Sequence, residues 1–221
     1  YPTTKSRYEE WYQLIKNQFN AQVTYENTFN ERHYFKGFLG FQTDEFKNKS
    51  FGGSRNNYYY DGYEEMNHGD ASSSMVNGNS SKLTMMSYFA RFNYTFADKY
   101  LIELTGRYDG SSRFTAKNRW GFFPSFGLGW SISNEDFWTD NLKKVVSKLK
   151  LRATYGLVGN DEIGKESQRF FYLSQVTIGG GDSFSTGYEF NGRTRKGVKI
   201  SNYPNSEIGW EIAYKTNLGV E

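Results

Sequence analysis

The sequence predicts an all-β protein, an antiparallel segment of a transmembrane β-barrel with long extracellular loops and short periplasmic turns. Three observations carry this expectation. First, only 37% of the 221 residues are hydrophobic but 19% are aromatic, with 18 Tyr, 19 Phe and 5 Trp. That balance fits neither a helical membrane protein nor a disordered chain, which is poor in aromatics. The mean hydropathy of −0.77 points the same way. Second, apolar residues recur at alternate positions through stretches of about ten residues, the length that crosses a bilayer as a tilted strand. Third, the connections between these stretches alternate between short and long, as they do in outer-membrane barrels.

The alternation can be followed in order along the chain. Phe19, Ala21, Val23 and Tyr25 share one face, opposed by Asn20, Gln22, Thr24 and Glu26. A less regular strand covers about 34–46. Met86, Tyr88, Ala90, Phe92, Tyr94 and Phe96 oppose Arg91, Asn93 and Thr95. Tyr100, Ile102, Leu104 and Tyr108 oppose Glu103, Thr105, Arg107 and Asp109. Phe126, Leu128, Trp130 and Ile132 are set against Gly and Ser, and Leu149 to Leu157 against Lys150, Arg152 and Thr154. The chain closes with Trp210, Ile212, Tyr214, Leu218 and Val220 against Glu211, Lys215, Asn217 and Glu221. Seven strands result. Thr28–Arg32 and Ala97–Lys99 are short turns; 47–82, 110–119 and 159–206 are long loops. Residues 133–148 read as a short amphipathic helix capped by Ser133 or Asn134, with Glu135 and Asp136 in its first turn and Lys143, Lys144 and Lys148 in its last.

The apolar face is made of Phe, Tyr and Trp rather than the Val, Ile and Leu of a soluble core. Tyr94, Tyr100, Tyr108, Trp120, Trp130 and Trp210 gather near strand ends as an aromatic girdle. The charged face then lines a polar lumen. Phe92, Tyr94, Ile102, Leu104, Phe126, Leu128, Trp130, Leu151 and Tyr155 are expected to face lipid, and Arg91, Glu103, Arg107, Lys150 and Arg152 the lumen. Because a spanning sheet must close to satisfy its backbone, the chain is expected to be an internal portion, 1–221, of a single barrel domain. The absence of a signal-like start and the stop at NLGVE in mid-pattern also favour an internal portion.

Other chemistry finds little support. His33 and His68 are far apart and there is no Cys, so no metal site or catalytic motif is indicated and the chain does not read as an enzyme. No cofactor is expected, although carboxylates and carbonyls at Asn160-Asp161-Glu162 leave a loop-bound calcium conceivable. Gly127-x-Gly129 lies inside a strand and is no dinucleotide loop. The basic clusters Lys143–Arg152 and Arg193–Lys199 suit solvated loops or lipopolysaccharide phosphates better than nucleic acid, and the net charge is only +3.

The stretch RYDGSSRFTAKNRWGFFPSFGLGW, 107–130, invites reading as a phosphate-gripping loop. It reads instead as a hairpin whose legs are lipid-facing strands. Its tip offers two readings: a connector in which Asp109 pairs with Arg107 or Arg113, or a rim that touches substrate. In the second, Asp109, Ser111, Ser112, Arg113 and Trp120 act with the loop aromatics Tyr58, Tyr59 and Tyr60, rings stacking on sugars or peptide side chains.

The motifs LTGRYDGSSRF, NRWGFFPSFGLGW, SNEDFW, LKLRATYGLVGN and NYPNSEIGWE…NLGVE, in that order, resemble the SusC/RagA-type TonB-dependent, or TonB-linked, outer-membrane transporters of Bacteroidetes. The likeness covers about residues 83–160 and 203–221 and, more loosely, the hairpin before them. It implies a barrel of about 22 strands closed by an N-terminal plug, located in the bacterial outer membrane. It also implies uptake of oligosaccharides or peptides, a SusD-like surface lipoprotein as lid, and energy from the TonB complex through a box near the N-terminus. Plug and TonB box are expected outside this chain. Two readings of other classes remain: a soluble carbohydrate-binding β-domain, and a non-transporting surface β-barrel or adhesin.

Overall fold

A strand's side chains alternate between its two faces, so one apolar face survives in a sheet only if neighbouring strands pair in matching register. The computed structural model, which describes residues 5–58, 62, 65–163, 170–186 and 193–221, shows that register. Its strands are β1 (Ser6–Phe29), β2 (His33–Asn56), β3 (Met75–Phe96), β4 (Tyr100–Ser111), β5 (Trp120–Ser131), β6 (Lys150–Asn160), β7 (Gln175–Thr186), β8 (Arg193–Asn202) and β9 (Glu211–Val220), with one helix, α1 (Asp140–Val145). Seven strands form a sheet in the order β1-β2-β3-β4-β5-β6-β9, and β7 pairs with β8 in a second sheet. The pairings from β3 through β6 to β9 are antiparallel. Among the described residues no helix is long and apolar enough to cross a membrane, which says nothing of spanning strands.

The chain divides into two compact units, Tyr1–Phe19 with Thr43–Thr84, and Asn20–Gln42 with Met85–Glu221. In the first, polar pairing dominates. Glu45 holds Lys47 at 2.6 Å and also Lys82. Arg55 donates to Ser74 Oγ at 2.9 Å and to the Met66 carbonyl at 3.3 Å, drawing the loop onto the strand. Asp70 caps the turn Ala71–Ser73 by accepting from the Ser72 N–H at 2.8 Å.

In the second unit the apolar rows line up across strands. Phe92 pairs with Leu104, Leu104 with Phe126, and Phe126 with Tyr155. Tyr94, Ile102, Leu128, Ala153 and Leu218 form the next row, and Tyr100, Trp130, Leu151 and Val220 the one below. All nine residues expected to face lipid share one face. Arg91, Glu103, Arg107, Lys150 and Arg152 share the other, where Arg91 reaches Glu103 at 3.9 Å and Arg152 reaches Glu221 at 3.2 Å.

The apolar face is open: Leu104 is 46% exposed, Leu128 46% and Tyr155 50%. Among the described residues only Leu83, Phe114 and Phe123 are buried hydrophobics. A soluble sandwich buries this face under a second sheet. Here nothing in the described residues covers it, and leaving it in water would cost about 25 cal/mol per Å² of exposed apolar surface.

Several expectations need correction. β1 and β2 each have 24 residues and β3 has 22, so about half of the expected loop 47–82 is strand. The 159–206 connection contains β7 and β8. Residues 133–148 hold a helix of only six residues, capped at Thr139. Ser133 is buried in a 3₁₀ turn, Ile132–Asn134, and the Asn134 side chain donates to the Asp98 carbonyl at 2.8 Å. Glu135 and Asp136 lie ahead of the helix and bind Lys99, both at 3.1 Å. His33 opens β2, its Nδ1 2.7 Å from the Tyr94 hydroxyl.

Both short turns are left-handed at their two central residues. Asn30 and Glu31 have φ of 49° and 53°, Ala97 and Asp98 of 51° and 56°. This turn matches the twist of the strands it joins, but an alanine there is strained. Ala97→Asn is therefore expected to raise stability by about 0.5 kcal/mol and Ala97→Val to lower it by about 1 kcal/mol. Urea midpoints of the two variants check the opposite signs.

Candidate functional site

β4 ends on Ser111, whose backbone N–H closes the hairpin onto the Arg119 carbonyl at 3.1 Å. Ser111 is fully buried, and its hydroxyl donates to Asp161 Oδ2 at 2.7 Å. Arg113 stands at ion-pair distance from the same oxygen, Nε to Oδ2 3.4 Å, with the two side chains 13% and 14% exposed. Its Nε makes no hydrogen bond, so the attraction is one of charge rather than a directed bond. One step down the same face, Asp109 takes both its bonds from Arg107 Nε, at 2.7 and 2.8 Å, while Arg107 Nη2 donates to Ser87 at 2.9 Å. The two arginines thus divide between two carboxylates, Arg107 to Asp109 and Arg113 to Asp161.

An aromatic knot sits beside this polar pair. Phe114, 1% exposed, packs on Trp210 with ring centroids 5.4 Å apart, and Trp210 packs edge-on to Phe123 at 5.2 Å. The indole Nε1–H donates to the Arg119 carbonyl at 3.0 Å. Glycines make the room: a Cβ on Gly159 would lie 2.0 Å from the Phe123 ring and one on Gly121 2.5 Å from it. Asn118 donates to the carbonyls of Ser206 and Ile208 at 3.2 and 3.3 Å, and Lys117 approaches Glu207 at 3.7 Å. Loop 112–119 therefore grips both ends of the excursion between β6 and β9: Asp161 where it leaves, and 206–210 where it returns.

The expected site residues separate accordingly. Asp109, Ser111 and Arg113 come together, with Ser112 half-buried among them, in a network of hydrogen bonds and one ion pair that leaves the Arg113 Nε without a directed bond. Trp120 does not join them. It pairs with Gly110 in the register and lies on the opposite, apolar face, stacked on Tyr108 at 4.8 Å and Tyr88 at 6.2 Å. Tyr58 belongs to the other unit, where its hydroxyl donates to the Met66 carbonyl at 3.4 Å. Tyr59 and Tyr60 lie outside the described residues.

The calcium expectation meets competing partners: Asp161 holds Ser111 and Arg113, and Asn160 Oδ1 accepts from the Glu162 N–H at 3.0 Å. Trp210 also needs correction. It precedes β9 and packs on Phe123, so it belongs neither to the apolar face nor to a girdle. Phe114, Phe123, Asn118 and Trp210 were the residues missed as a group. Their only sequence signal was their aromatic and amide residue types near the loop ends, which carries no partner information.

The apolar face has its own geometry. Trp120 and Trp130 stand at opposite ends of β5, ten residues apart, hence about 33 Å along the strand and about 25 Å along the normal of a strand tilted by about 40°. Tyr108 and Tyr88 flank the first ring, Tyr100 the second. Between the two aromatic rows lies an apolar band of the height a bilayer's hydrocarbon core requires.

Comparison with known proteins agrees with this geometry. A family model described as the TonB dependent receptor-like β-barrel matches residues 1–221. The chain is 38% identical over 138 residues to the TonB-dependent receptor SusC of Bacteroides thetaiotaomicron, covering 62% of this chain and 13% of that protein. It superposes on the structure of the RagAB peptide transporter with a TM-score of 0.80 and 26% identity, covering 98% of this chain and 22% of the other. Against the RagAB peptide importer in its 'open-open' state the TM-score is 0.79 at the same identity and coverage. The chain thus spans well under a third of the length of the relatives it matches.

Proposed function

Because this chain belongs to the TonB dependent receptor-like β-barrel family, we propose that it is a seven-stranded part of the wall of an outer-membrane nutrient importer. The whole protein takes up oligosaccharides or peptides with a SusD-like surface lipoprotein and draws energy through TonB; catalysis is no part of its role. The aromatic-bounded apolar band about 25 Å high, on a sheet whose other face carries Arg91, Glu103, Arg107 and Arg152, carries this reading. Lipid accepts the first face and a water-filled or plug-filled lumen the second. The 26% identical match across 98% of the chain is to the RagAB peptide transporter, and this likeness supports counting peptides beside oligosaccharides as candidate cargo.

Within that importer, loop 112–119 sits where the lumen-facing row leaves the membrane. Ser111, Arg113 and Asp109 position the rim, while the exposed Ala116, Lys117 and Arg119 are the groups left to meet substrate or lid. Trp120 acts as part of the girdle. Turns 30–32 and 97–99 and the 133–148 segment are periplasmic, and 57–74, 112–119 and 161–210 extracellular.

Uptake of labelled oligopeptides and oligosaccharides by cells carrying the full-length protein, with and without TonB, tests the function. TonB-dependent uptake is expected for one class. Uptake of neither, with the barrel folded by heat-modifiable gel mobility, would favour the surface adhesin reading. Epitope tags test sidedness. A tag after Lys117 is expected to be reached by antibody on intact cells, and one after Asn141 only after permeabilisation; the reverse pattern inverts the barrel.

A further inference from the structure

We propose that the segment following β5, residues 135–148, is a membrane-surface anchor whose apolar edge (Phe137, Leu142, Val145 and Val146) lies in the headgroup layer of the periplasmic leaflet, with Lys143 and Lys144 against phospholipid phosphates. The inference rests on the outer-membrane orientation proposed above and adds a lipid contact at a place where a barrel needs only a turn.

Position is the first support. Tyr100 and Trp130 are cross-strand partners on the apolar face, in the aromatic row at its lower edge. Both donate to Glu135, the tyrosine hydroxyl at 2.6 Å and the indole N–H at 3.0 Å. Lys99 adds its ammonium to Glu135 and Asp136. These donors, Tyr100 first, then Trp130 and Lys99, hold the Glu135 carboxyl below its ordinary range, so it remains an anionic acceptor near neutral pH. The segment therefore begins directly beneath the lipid-facing wall, tied to the rings that mark the bilayer's edge, and not beneath the lumen.

Shape is the second. In α1, Leu142 and Val145 follow i, i+3 spacing and share one face, which Val146 extends from the cap position just beyond the helix, while Asp140, Lys143 and Lys144 lie on the flanks and back of the helix. The apolar residues are not folded inward: Val145 is 84% exposed, Phe137 60%, Leu142 46% and Val146 41%. The Trp138 indole donates to the Val146 carbonyl at 3.3 Å, closing the segment on itself with these side chains left outside. In water such exposure is costly at about 25 cal/mol per Å²; the nearest apolar phase is the bilayer the girdle borders.

Charge is the third. Exposed Lys143 and Lys144 on the flank of that apolar face, with Lys148 after it, match the phosphate layer, as in other basic amphipathic segments that lie in an interface. An apolar face alone would suit a periplasmic protein as well. The lysines, and continuity with the lipid-facing wall, favour lipid.

The test uses the full-length protein reconstituted in vesicles, with other cysteines replaced and one fluorophore attached through Val145→Cys or, separately, Leu104→Cys; this chain contributes no cysteine of its own. The expected result is strong quenching of the 145 label by lipid carrying a nitroxide near its headgroup, and of the 104 label by lipid carrying it deep in the chain. Lys143→Glu with Lys144→Glu is expected to weaken quenching at 145 more in anionic than in zwitterionic vesicles. A 104 label quenched by lipid beside a 145 label quenched only by aqueous iodide overturns the anchor alone, leaving the segment in water or against a periplasmic protein. Labels quenched by lipid at neither position overturn the membrane reading and the anchor together.

Discussion

Leu104→Arg is expected to lower the stability of the folded barrel by about 2–4 kcal/mol, the cost of an arginine on the lipid face at mid-bilayer. The register sets this expectation. Leu104 stands between Phe92 and Phe126, midway between Tyr100 and Tyr108, so its guanidinium would have no nearby aromatic row through which to reach water. The comparison is Asn93→Arg. Asn93 lies on the opposite face across from Glu103, where a new cation meets a carboxylate in a wet lumen, and the expected change is under about 1 kcal/mol. Reversible urea unfolding of the full-length protein in lipid reads both. A Leu104→Arg variant as stable as the parent, or an Asn93→Arg variant just as damaged, would mean that the lipid and lumen faces are assigned the wrong way round.

Phe114→Ala is expected to release the extracellular excursion while leaving the barrel intact. Phe114 is 1% exposed against Trp210, and removing a buried phenylalanine ring costs about 3–5 kcal/mol. That loss falls on the clasp joining loop 112–119 to residues 206–210, since the strands below are held by their own ladders. Protease cleavage within 161–210 on intact cells should therefore accelerate by at least about a hundredfold, the equivalent of the lower bound in free energy. Heat-modifiable mobility should stay normal. Arg113→Ala should act in the same direction but less, because Asp161 keeps its bond from Ser111. Cleavage no faster than in the parent would show that the Phe114 ring does not hold the excursion.

The strands legible in the sequence were those with one face in lipid. From Met86 to Phe96, Tyr100 to Asp109 and Lys150 to Leu157, one side is apolar because the bilayer excludes charge, and the other polar because the lumen does not. Two environments on two faces write a period of two into the residue types. The same strands became illegible where both faces meet water. Residues 47–56, KNKSFGGSRN, continue β2 without alternation, since neither side there selects for apolar groups, and so they read as loop.

The candidate site divides along a similar line. That the stretch 107–130 is a hairpin between two spanning strands followed from local residues alone, as did the pairing of Asp109 with Arg107. Which carboxylate Arg113 meets did not, because Asp161 lies 48 residues away and is brought to it only by the pairing of β5 with β6. The sequence by itself determined the all-β class, the two faces and their aromatic borders, since each is a property of neighbours one and two positions apart. Only the tertiary structure decided that Trp210 turns from the apolar row to pack on Phe123, whose ring fills the space left by Gly121 and Gly159, that Trp120 lies on the opposite face of the sheet from Arg113, and that the β4–β5 tip clasps a distant excursion. Those are contacts between residues separated by long loops, and chain entropy leaves such partners unspecified until the sheet's hydrogen bonds bring their strands together.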